Sequence, residues 1–177
     1  GTWTFKSFYE QLFNYRQYSG SHKINLLTDS KKSFNVILGG NGFGKSAAYR
    51  AINWCFFNKE PRMSNHPDSD TKLNFKVRDK IKIGSEEEVS VKIELERVLP
   101  DGNKDPVTVE RTEYYKKISD KDDKNKTPSV AQRLNKSKVV VSYYDDEGFQ
   151  ELESDYAEQY IENKIIDEDR KNFYFFD

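Results

Sequence analysis

The chain has 177 residues, of which 33% are charged and 14% aromatic, and its formal net charge is −1. This length allows one domain with a real core, and the near-zero charge excludes a global attraction to nucleic acid, so any DNA contact needs a local patch. The single cysteine, Cys55, excludes an internal disulfide and is expected to be a buried apolar residue in a reducing compartment. No apolar run approaches the ~18 residues of a membrane span and no signal-peptide pattern opens the chain, so we expect a cytoplasmic protein without membrane contact.

The first 32 residues predict two short strands. Residues 3–13 place aromatic and apolar side chains around polar ones, and their first part alternates like a half-buried strand. A polar, aromatic turn at 14–20 follows, alternation resumes over 21–27, and the residues at 28–32 are typical of a second turn. Two strands are therefore expected ahead of the most informative segment of the chain.

That segment is residues 34–57, FNVILGGNGFGKSAAYRAINWCFF. Its apolar start at 36–38 predicts a strand, the glycine-rich stretch 39–46 a turn, and the apolar residues from Ala47 to Phe56 recur at the spacing of a helix. A strand, G-x-x-x-x-G-K-S and a helix in this order are typical of a phosphate-binding loop. Chance would produce the four fixed positions in under about 1% of chains of this length.

The residue types of this loop suit a nucleoside triphosphate. Glycines let successive backbone N–H groups form a nest for oxyanions, and the helix N-terminus adds unpaired donors and partial positive charge. Lys45 would lie between the β- and γ-phosphates, and the Ser46 hydroxyl would coordinate Mg²⁺. ATP and Mg²⁺ are therefore the expected cofactors. The candidate nucleotide-binding residues of the loop are Gly39, Gly40, Asn41, Gly42, Phe43, Gly44, Lys45, Ser46 and Ala47.

The middle of the chain predicts a loop and then strands. Residues 58–70 are loop-like, and His66 within them is more typical of a solvated histidine than of a ligand or base. Residues 71–83 alternate apolar with basic side chains, which predicts a strand whose cationic face either meets phosphates or is simply solvated. Residues 89–99 and 107–115 predict a hairpin around a turn at 100–103.

The charge-dense residues 116–136 are expected to form a mobile insertion without a core of its own, either touching DNA or solvated. Residues 138–144 predict another strand, followed by a turn at 145–148 and a short returning strand. A helix is expected from Ser154, its candidate N-cap, and the apolar residues 173–176 predict a final strand inside a sheet. Because the sequence stops directly after that strand, we expect the protein to continue.

These elements predict one α/β domain over residues 1–177: a P-loop NTPase with a mixed sheet around the P-loop helix and an antiparallel meander at one side. Its expected parts are the P-loop region 34–57, the β-hairpin region 71–115, the mobile insertion 116–136, and the helix and last strand at 154–177. Three acidic clusters are more typical of turns and helix caps than of metal sites. The nearest approach to an acidic strand end, residues 141–146, has a glycine-containing turn that favours a hairpin.

Four segments resemble one known group of ATPases. The chain resembles the N-terminal lobe of the ATPase head of SMC/RecF-like ABC ATPases, particularly the DNA sulfur-modification ATPase DndD and double-strand-break-repair and defence ATPases. The segments are Phe13–Tyr18 (FNYRQY), GGNGFGKS at 39–46, Arg50–Cys55 (RAINWC) and Phe173–Asp177 (FYFFD). The resemblance is specific at the loop and helix, and it does not extend across residues 58–136.

The resemblance implies roles for particular residues. Arg16 is the basic residue that reaches the nucleotide in such heads, and Asn41 faces the γ-phosphate. Asp177 begins the Q-loop-like segment that senses Mg²⁺ and the attacking water, which makes Ser46 and Asp177 the implied metal-shell residues. Ala47 replaces a second hydroxyl residue, so one contact to the α-phosphate is absent.

The same resemblance implies that catalysis needs more than this chain. The hydrolytic glutamate, the signature motif and the switch histidine belong to a C-terminal lobe beyond a coiled coil, so no catalytic residue is assigned here. The implied partners are that lobe, a second head in a homodimer around two ATP molecules, and DNA. The 177-residue chain alone is expected to hydrolyse ATP negligibly.

Two alternatives from other classes remain open on the residues alone. A self-contained small P-loop kinase or GTPase would need its own acceptor pocket and acidic Mg²⁺ partner, and a GTPase would need the Asn-Lys-x-Asp motif, which is absent. A non-catalytic interaction module would bind nucleotide only for stability.

Overall fold

The computed structural model describes residues 4–28, 35–37, 42–60, 71–165 and 174–176, with the side chains of 9–24, 47–60 and 71–165. Within these residues there are eight strands: β1 (Thr4–Phe13), β2 (Ser21–Thr28), β3 (Asn35–Ile37), β4 (Glu86–Val98), β5 (Lys104–Ser119), β6 (Val130–Asp145), β7 (Gly148–Glu153) and β8 (Tyr174–Phe176). The helices are α1 (Gly42–Phe57), α2 (Phe75–Lys80) and α3 (Ser154–Tyr160), and a π-helical turn (Ile161–Ile165) continues α3.

The strands form one sheet in the order β7-β6-β5-β4-β1-β2-β3-β8. The neighbours from β7 to β3 are antiparallel, whereas β3 and β8 are parallel. The predicted α/β class, mixed sheet and antiparallel meander are thus confirmed. The predicted final strand exists, and among the described residues it lies at the end of the strand order rather than inside it.

The core lies between one face of the sheet and α1. Alternate residues of β4 turn inward (Val89, Val91, Ile93, Leu95), and each is at most 2% exposed. They meet α1, and the predicted buried state of Cys55 is confirmed by its 0% exposure. The other apolar residues of α1 that are buried are Ala47, Ala48, Ala51, Ile52, Trp54 and Phe56. The period-2 pattern of β4 therefore located both the strand and its inner face.

A buried arginine ties three elements together. Arg111 on β5 is 3% exposed, and its Nε donates to the carbonyl of Cys55 near the end of α1 at 3.0 Å. Its NH1 forms an ion pair with Glu158 on α3 at 2.8 Å. A cation near the C-terminal carbonyls of a helix is favourable because of the helix dipole. Arg111 thereby fixes α1 and α3 on the same face of the sheet.

The structure corrects the prediction of a strand over residues 71–83. Residues Phe75–Lys80 form α2 instead, because the side chain of Asn74 accepts hydrogen bonds from the backbone N–H groups of Lys76 and Val77. That contact is an N-cap, and it favours a helix despite the alternating pattern. The basic side chains of this segment therefore do not share a strand face.

The structure also differs from the expected insertion at 116–136. Strands β5 and β6 continue through most of it, with Lys116 opposite Gln132 and Ser119 opposite Val130. The segment is the outer part of a long hairpin, and Lys117 within it is only 1% exposed. Its polar composition was compatible with a strand because one face of an antiparallel hairpin can remain in solvent.

Three smaller predictions have different outcomes. The strand at 138–144 and the hairpin return after 145–148 are confirmed by the pairing of β6 with β7. Ser154 is the first residue of α3, and Glu153 before it makes no side-chain cap hydrogen bond, so the predicted cap is not observed. His66 lies outside the described residues. No helix in the described part of the chain is long and apolar enough to cross a membrane.

Candidate nucleotide site

The predicted phosphate-binding loop lies between a strand and a helix that the structure describes. β3 ends at Ile37 and α1 begins at Gly42, so four residues, 38–41, separate them. Residues 42–46, which were predicted as part of the turn, belong to α1 instead. Gly39, Gly40 and Asn41 lie outside the described residues, and for residues 42–46 only the backbone is described.

α1 is anchored firmly just after the motif. Ala47 is 3% exposed, and Ala48, Ala51 and Ile52 are fully buried. The first turn of α1 carries no acidic side chain that would oppose an anion at its N-terminus. Ala47 was predicted among the nucleotide-binding residues. Its side chain packs into the core, so only its backbone is suited to contact a ligand.

The turn that carries Arg16 is held by backbone contacts to a distant segment. Arg16 N–H donates to the carbonyl of Lys72 at 2.6 Å, and Asn74 N–H donates to the carbonyl of Asn14 at 2.9 Å. The Asn74 side-chain amide also donates to the carbonyl of Arg16 at 2.7 Å. Asn14 and Arg16 adopt positive φ angles of 55° and 50°. Such backbone conformations persist only where surrounding contacts fix them, and here they fix the position of Arg16.

Arg16 meets a carboxylate in this position. Its Nε donates to Glu60 Oε2 and its NH2 to Glu60 Oε1, each at 2.7 Å. Both side chains are 12% exposed. The Tyr15 hydroxyl also donates to Oε2 of Glu60. This bidentate pair is the strong form of an arginine–carboxylate contact, and it leaves the Glu60 carboxylate with at least three hydrogen bonds.

Two further cations approach the same carboxylate. Arg50 Nε on α1 lies 3.7 Å from Glu60 Oε2, and Lys72 Nζ lies 4.0 Å from Oε1. Lys72 also stands 5.3 Å from the ring centre of Trp54, a distance that allows a cation–π contact. We call Arg16, Arg50, Glu60 and Lys72 the Glu60 cluster. It joins the turn after β1, α1 and the segment before α2.

The protonation states of the cluster follow from its charges. Burial acts to raise the pKa of Glu60, but the hydrogen bonds from Arg16 and Tyr15 and the charges of Arg16 and Lys72 outweigh burial and lower it. Burial would lower the pKa of Arg16, and its bonds to Glu60 raise it instead. Burial, then the charge of Glu60, raises the pKa of Tyr15 well above its usual value. The site therefore holds ionised Glu60 and a neutral tyrosine.

A second carboxylate adjoins the cluster through Lys72. Lys72 Nζ lies 2.7 Å from Glu113 Oε1, and Arg133 NH1 donates to Glu113 Oε2 at 3.0 Å. The Tyr115 hydroxyl accepts from the backbone N–H of Lys72 at 3.1 Å. Burial raises the pKa of Tyr115 to about 12. Among the described residues, four cations (Arg16, Arg50, Lys72 and Arg133) thus surround two carboxylates, which is an excess of positive charge.

This excess fits an anionic ligand. Arg50 is 9% exposed, and within the described part of the chain its Nε makes no hydrogen bond. A buried guanidinium N–H without an acceptor costs free energy, so an added anion at this point would satisfy a donor. The residues around Arg50, in the middle of α1, therefore suit phosphate oxygens better than a neutral ligand.

The sequence predicted one member of this cluster and missed the others. Arg16 was predicted from its position in FNYRQY, and Arg50 was noticed only within its helix segment. Glu60 lies in a segment predicted as a loop and was not singled out, whereas Lys72 was one of the basic residues of the segment 71–83 that was predicted as a strand. Their approach to Arg16 depends on backbone bonds between residues 14–16 and 72–74, a long-range relationship.

The metal-shell residues of the prediction are not tested by the described geometry. The Ser46 side chain and Asp177 lie outside what the structure describes. Among the described residues, no group of three or more His, Cys, Asp or Glu could hold a metal ion. Within that range, Asp122 belongs to a turn, where it accepts from the backbone N–H groups of Lys124 and Asn125.

Comparison with known proteins gives a family. A protein-family model described as an AAA domain matches residues 11–177, which is nearly the whole chain. None of the curated proteins matches the sequence significantly. The chain belongs to the AAA domain family, which makes it an ATP-binding, ATPase-type domain of the P-loop class and confirms the coarser part of the predicted resemblance.

Proposed function

We propose that this AAA-family domain is the ATP-binding N-terminal half of a DNA-associated, coiled-coil ABC ATPase of the DndD and repair or defence type. The observation that carries the proposal is the GGNGFGKS motif, which follows β3 and runs into the start of α1, within a family match covering residues 11–177. In such a site the backbone of the loop and Lys45 would hold the phosphates, and Ser46 would hold Mg²⁺.

The start of α1 supports this role for the motif. The first four N–H groups of an α-helix have no partner inside the helix, and here they belong to Gly42, Phe43, Gly44 and Lys45. With the helix dipole, they provide donors for phosphate oxygens. Two glycines among the four remove side chains that would keep a phosphate away from the backbone.

The parallel pair of strands supports a role for Asp177. Ile37 at the end of β3 pairs with Phe176 at the end of β8. The C-terminal ends of both strands therefore lie at the same edge of the sheet. β3 leads from this edge into the loop, and β8 leads to Asp177. Ligands of open α/β sheets bind at the carboxyl ends of parallel strands. Asp177 is accordingly our candidate for the Mg²⁺ shell, together with Ser46.

Hydrolysis is proposed to need a partner lobe. ATP would act as the link between two heads in a homodimer, its γ-phosphate favouring the engaged state and its hydrolysis releasing it. The hydrolytic base and signature contacts would come from a C-terminal lobe, in a protein working in the cytoplasm. Bound Mg²⁺ would supply charge neutralisation on the phosphates, while this chain binds and orients them.

The test uses the 177-residue chain and its Lys45→Ala variant, with Lys104→Ala as a control at an exposed lysine. Mg-ATP at about a hundredfold excess over its Kd should stabilise the wild type and the control by about 2.7 kcal/mol, measured by thermal unfolding, and Lys45→Ala much less. ATP turnover should be negligible in all three. Equal stabilisation of Lys45→Ala would contradict the site, and robust turnover abolished by that variant would contradict the need for a second lobe.

A further inference from the structure

The outer end of the β5–β6 hairpin and α2 together form a strongly basic projection. We call residues 75–85 and 116–138 the basic arm. It contains twelve of the 29 lysines and arginines of the chain but only four of its 30 aspartates and glutamates. The arm therefore carries a net charge of +8, and the other residues carry −9. A chain with a net charge close to zero thus concentrates its positive charge in one place.

Buried hydrogen bonds hold α2 and the hairpin of the arm together. Lys117 Nζ on β5 donates to the carbonyls of Asp79 and Ile81 at 2.9 and 2.8 Å, which ties the hairpin to the end of α2. Ser129 Oγ accepts from Arg78 Nε at 2.8 Å and donates to Asp79. Lys117 and Ser129 are 1% and 2% exposed. Buried hydrogen bonds of this kind hold α2 and the hairpin in a fixed relation.

The acidic groups of the arm are mostly engaged inside it. Asp79 accepts from Ser129, and Asp120 forms an ion pair with Lys117 at 2.7 Å. Asp122 accepts from the backbone of Lys124 and Asn125, and these bonds lower its pKa. Three of the four carboxylates are therefore directed to structural contacts rather than to the lysines at the surface.

The lysines of the arm are displayed to solvent. Seven of them are exposed and form no ion pair within the described part of the chain: Lys76, Lys80, Lys82, Lys116, Lys121, Lys124 and Lys126. Lys136, Lys138 and Arg133 are different, because each pairs with a glutamate outside the arm. The lysines without ion pairs include all three at the tip, where the chain turns from β5 to β6.

The shape of the arm fits a grooved anionic partner better than a flat anionic surface. β4 begins at Glu86, opposite Lys116, and β7 pairs with β6 only from Val140 onwards. Beyond these points the described sheet is a two-stranded ribbon with α2 on one side. The major groove of duplex DNA admits such a ribbon, with phosphates on both sides of it. A flat membrane surface would meet only one face of the arm.

From these observations we infer that the basic arm binds the phosphate backbone of duplex DNA, with the ribbon tip at the groove and the lysines of α2 on flanking phosphates. The inference rests on the proposed function only for its DNA association, and it uses none of the nucleotide-binding residues. Binding through phosphates is largely independent of base sequence and falls steeply with salt.

The experiment measures binding of the nucleotide-free 177-residue chain to a short fluorescein-labelled DNA duplex by anisotropy, between about 50 and 200 mM salt. One variant replaces the tip lysines together (Lys121→Gln, Lys124→Gln, Lys126→Gln). The matched control replaces three exposed lysines outside the arm (Lys23→Gln, Lys104→Gln, Lys164→Gln), which gives the same change in net charge. Urea unfolding of all three proteins should agree, since every substituted side chain is exposed.

Loss of three phosphate contacts should make the slope of log K against log salt less negative by about three and weaken binding at least about tenfold at low salt. The control should keep the wild-type slope and affinity. Equal losses in the two variants, or no binding by the wild type at low salt, would overturn the inference. Competition by poly-glutamate or by anionic vesicles as effective as that by unlabelled duplex would also overturn it. Mg-ATP stabilisation of the same proteins reports the nucleotide site separately, so each proposal can fail alone.

Discussion

Arg16 and Glu60 are joined by two parallel hydrogen bonds of 2.7 Å, from Nε to Oε2 and from NH2 to Oε1. The planar fork of arginine matches a phosphate in the same way as it matches a carboxylate. Glu60 therefore occupies the donors with which Arg16 would reach a nucleotide. The contact makes the proposed role of Arg16 testable, because a phosphate and Glu60 would compete for one guanidinium.

The first prediction concerns that competition. Glu60→Gln removes the negative charge that holds Arg16 while keeping a similar shape. If Arg16 reaches the nucleotide, the affinity for Mg-ATP should rise about three- to tenfold, and if the group it reaches is the terminal phosphate, the affinity for Mg-ADP should change little. Direct titration with a fluorescent ATP analogue and its ADP counterpart checks this.

Glu153→Gln is the matched control for that titration, because its carboxylate lies 3.9 Å from Lys138 in an exposed pair far along the chain. It should bind both nucleotides as the wild type does. An unchanged or lower ATP affinity in Glu60→Gln would show that Arg16 does not contact the nucleotide.

The second prediction is a stability change with a defined pH dependence. Glu60→Ala leaves Arg16, Arg50 and Lys72 without their shared carboxylate, so the free energy of unfolding at neutral pH should fall by about 2–3 kcal/mol. Because the folded pKa of Glu60 is lowered, its contribution is present at neutral pH and disappears as the pH falls through that folded pKa. Urea unfolding from neutral to acid pH should show the difference between variant and wild type shrinking. A constant difference across that range would contradict the assignment to an ionised Glu60.

The third prediction concerns a buried carboxyl group that should lower the stability of the fold as the pH rises. Glu10 is 0% exposed, and within the described part of the chain neither of its oxygens has a hydrogen-bond partner. It lies between Ile24 and Ile93 on the neighbouring strands, and burial raises its pKa well above the usual 4.5. As the pH rises past that usual value the unfolded state ionises first, so the wild-type fold loses stability until the folded pKa is reached.

Glu10→Leu should remove this loss. We expect the variant to be more stable at pH 7 by about 1–3 kcal/mol, and the gain should shrink at acid pH, where Glu10 is protonated in both the folded and the unfolded chain. Urea unfolding at a series of pH values measures it. Lower stability of Glu10→Leu at neutral pH would mean that the Glu10 carboxyl makes a contact that stabilises the fold.

The fourth prediction uses the single cysteine as a probe of folding. Cys55 is fully buried, and burial raises the pKa of its thiol. The thiolate is the reactive form, so alkylation of the native chain should be slow and limited by unfolding. Tyr156→Cys provides the control, because Tyr156 is 72% exposed and its replacement should react at once. Equal rates at the two positions would contradict the packing of α1 on the sheet.

The sequence predicted those elements whose residues carry their own pattern. β4 and β5 were located because their inward residues alternate, and α1 because its apolar residues recur at helical spacing. The strand prediction for residues 71–83 was wrong for a physical reason. Their side chains alternate as in a strand, but the side chain of Asn74 provides the N-cap of a helix, α2. The prediction for the hairpin end was wrong because its charged residues, typical of a loop, are also compatible with strands that have one face in solvent.

The sequence by itself determined the phosphate-loop motif, the α/β class and the family, because these depend on residue types at short, fixed spacing. Only the tertiary structure decided which charges meet. Glu60 reached Arg16 because backbone bonds join residues 14–16 to 72–74, and the lysines of α2 joined those of the hairpin because Lys117 and Ser129 connect them. Contacts between residues more than 30 positions apart depend on strand order and packing, which no local pattern contains.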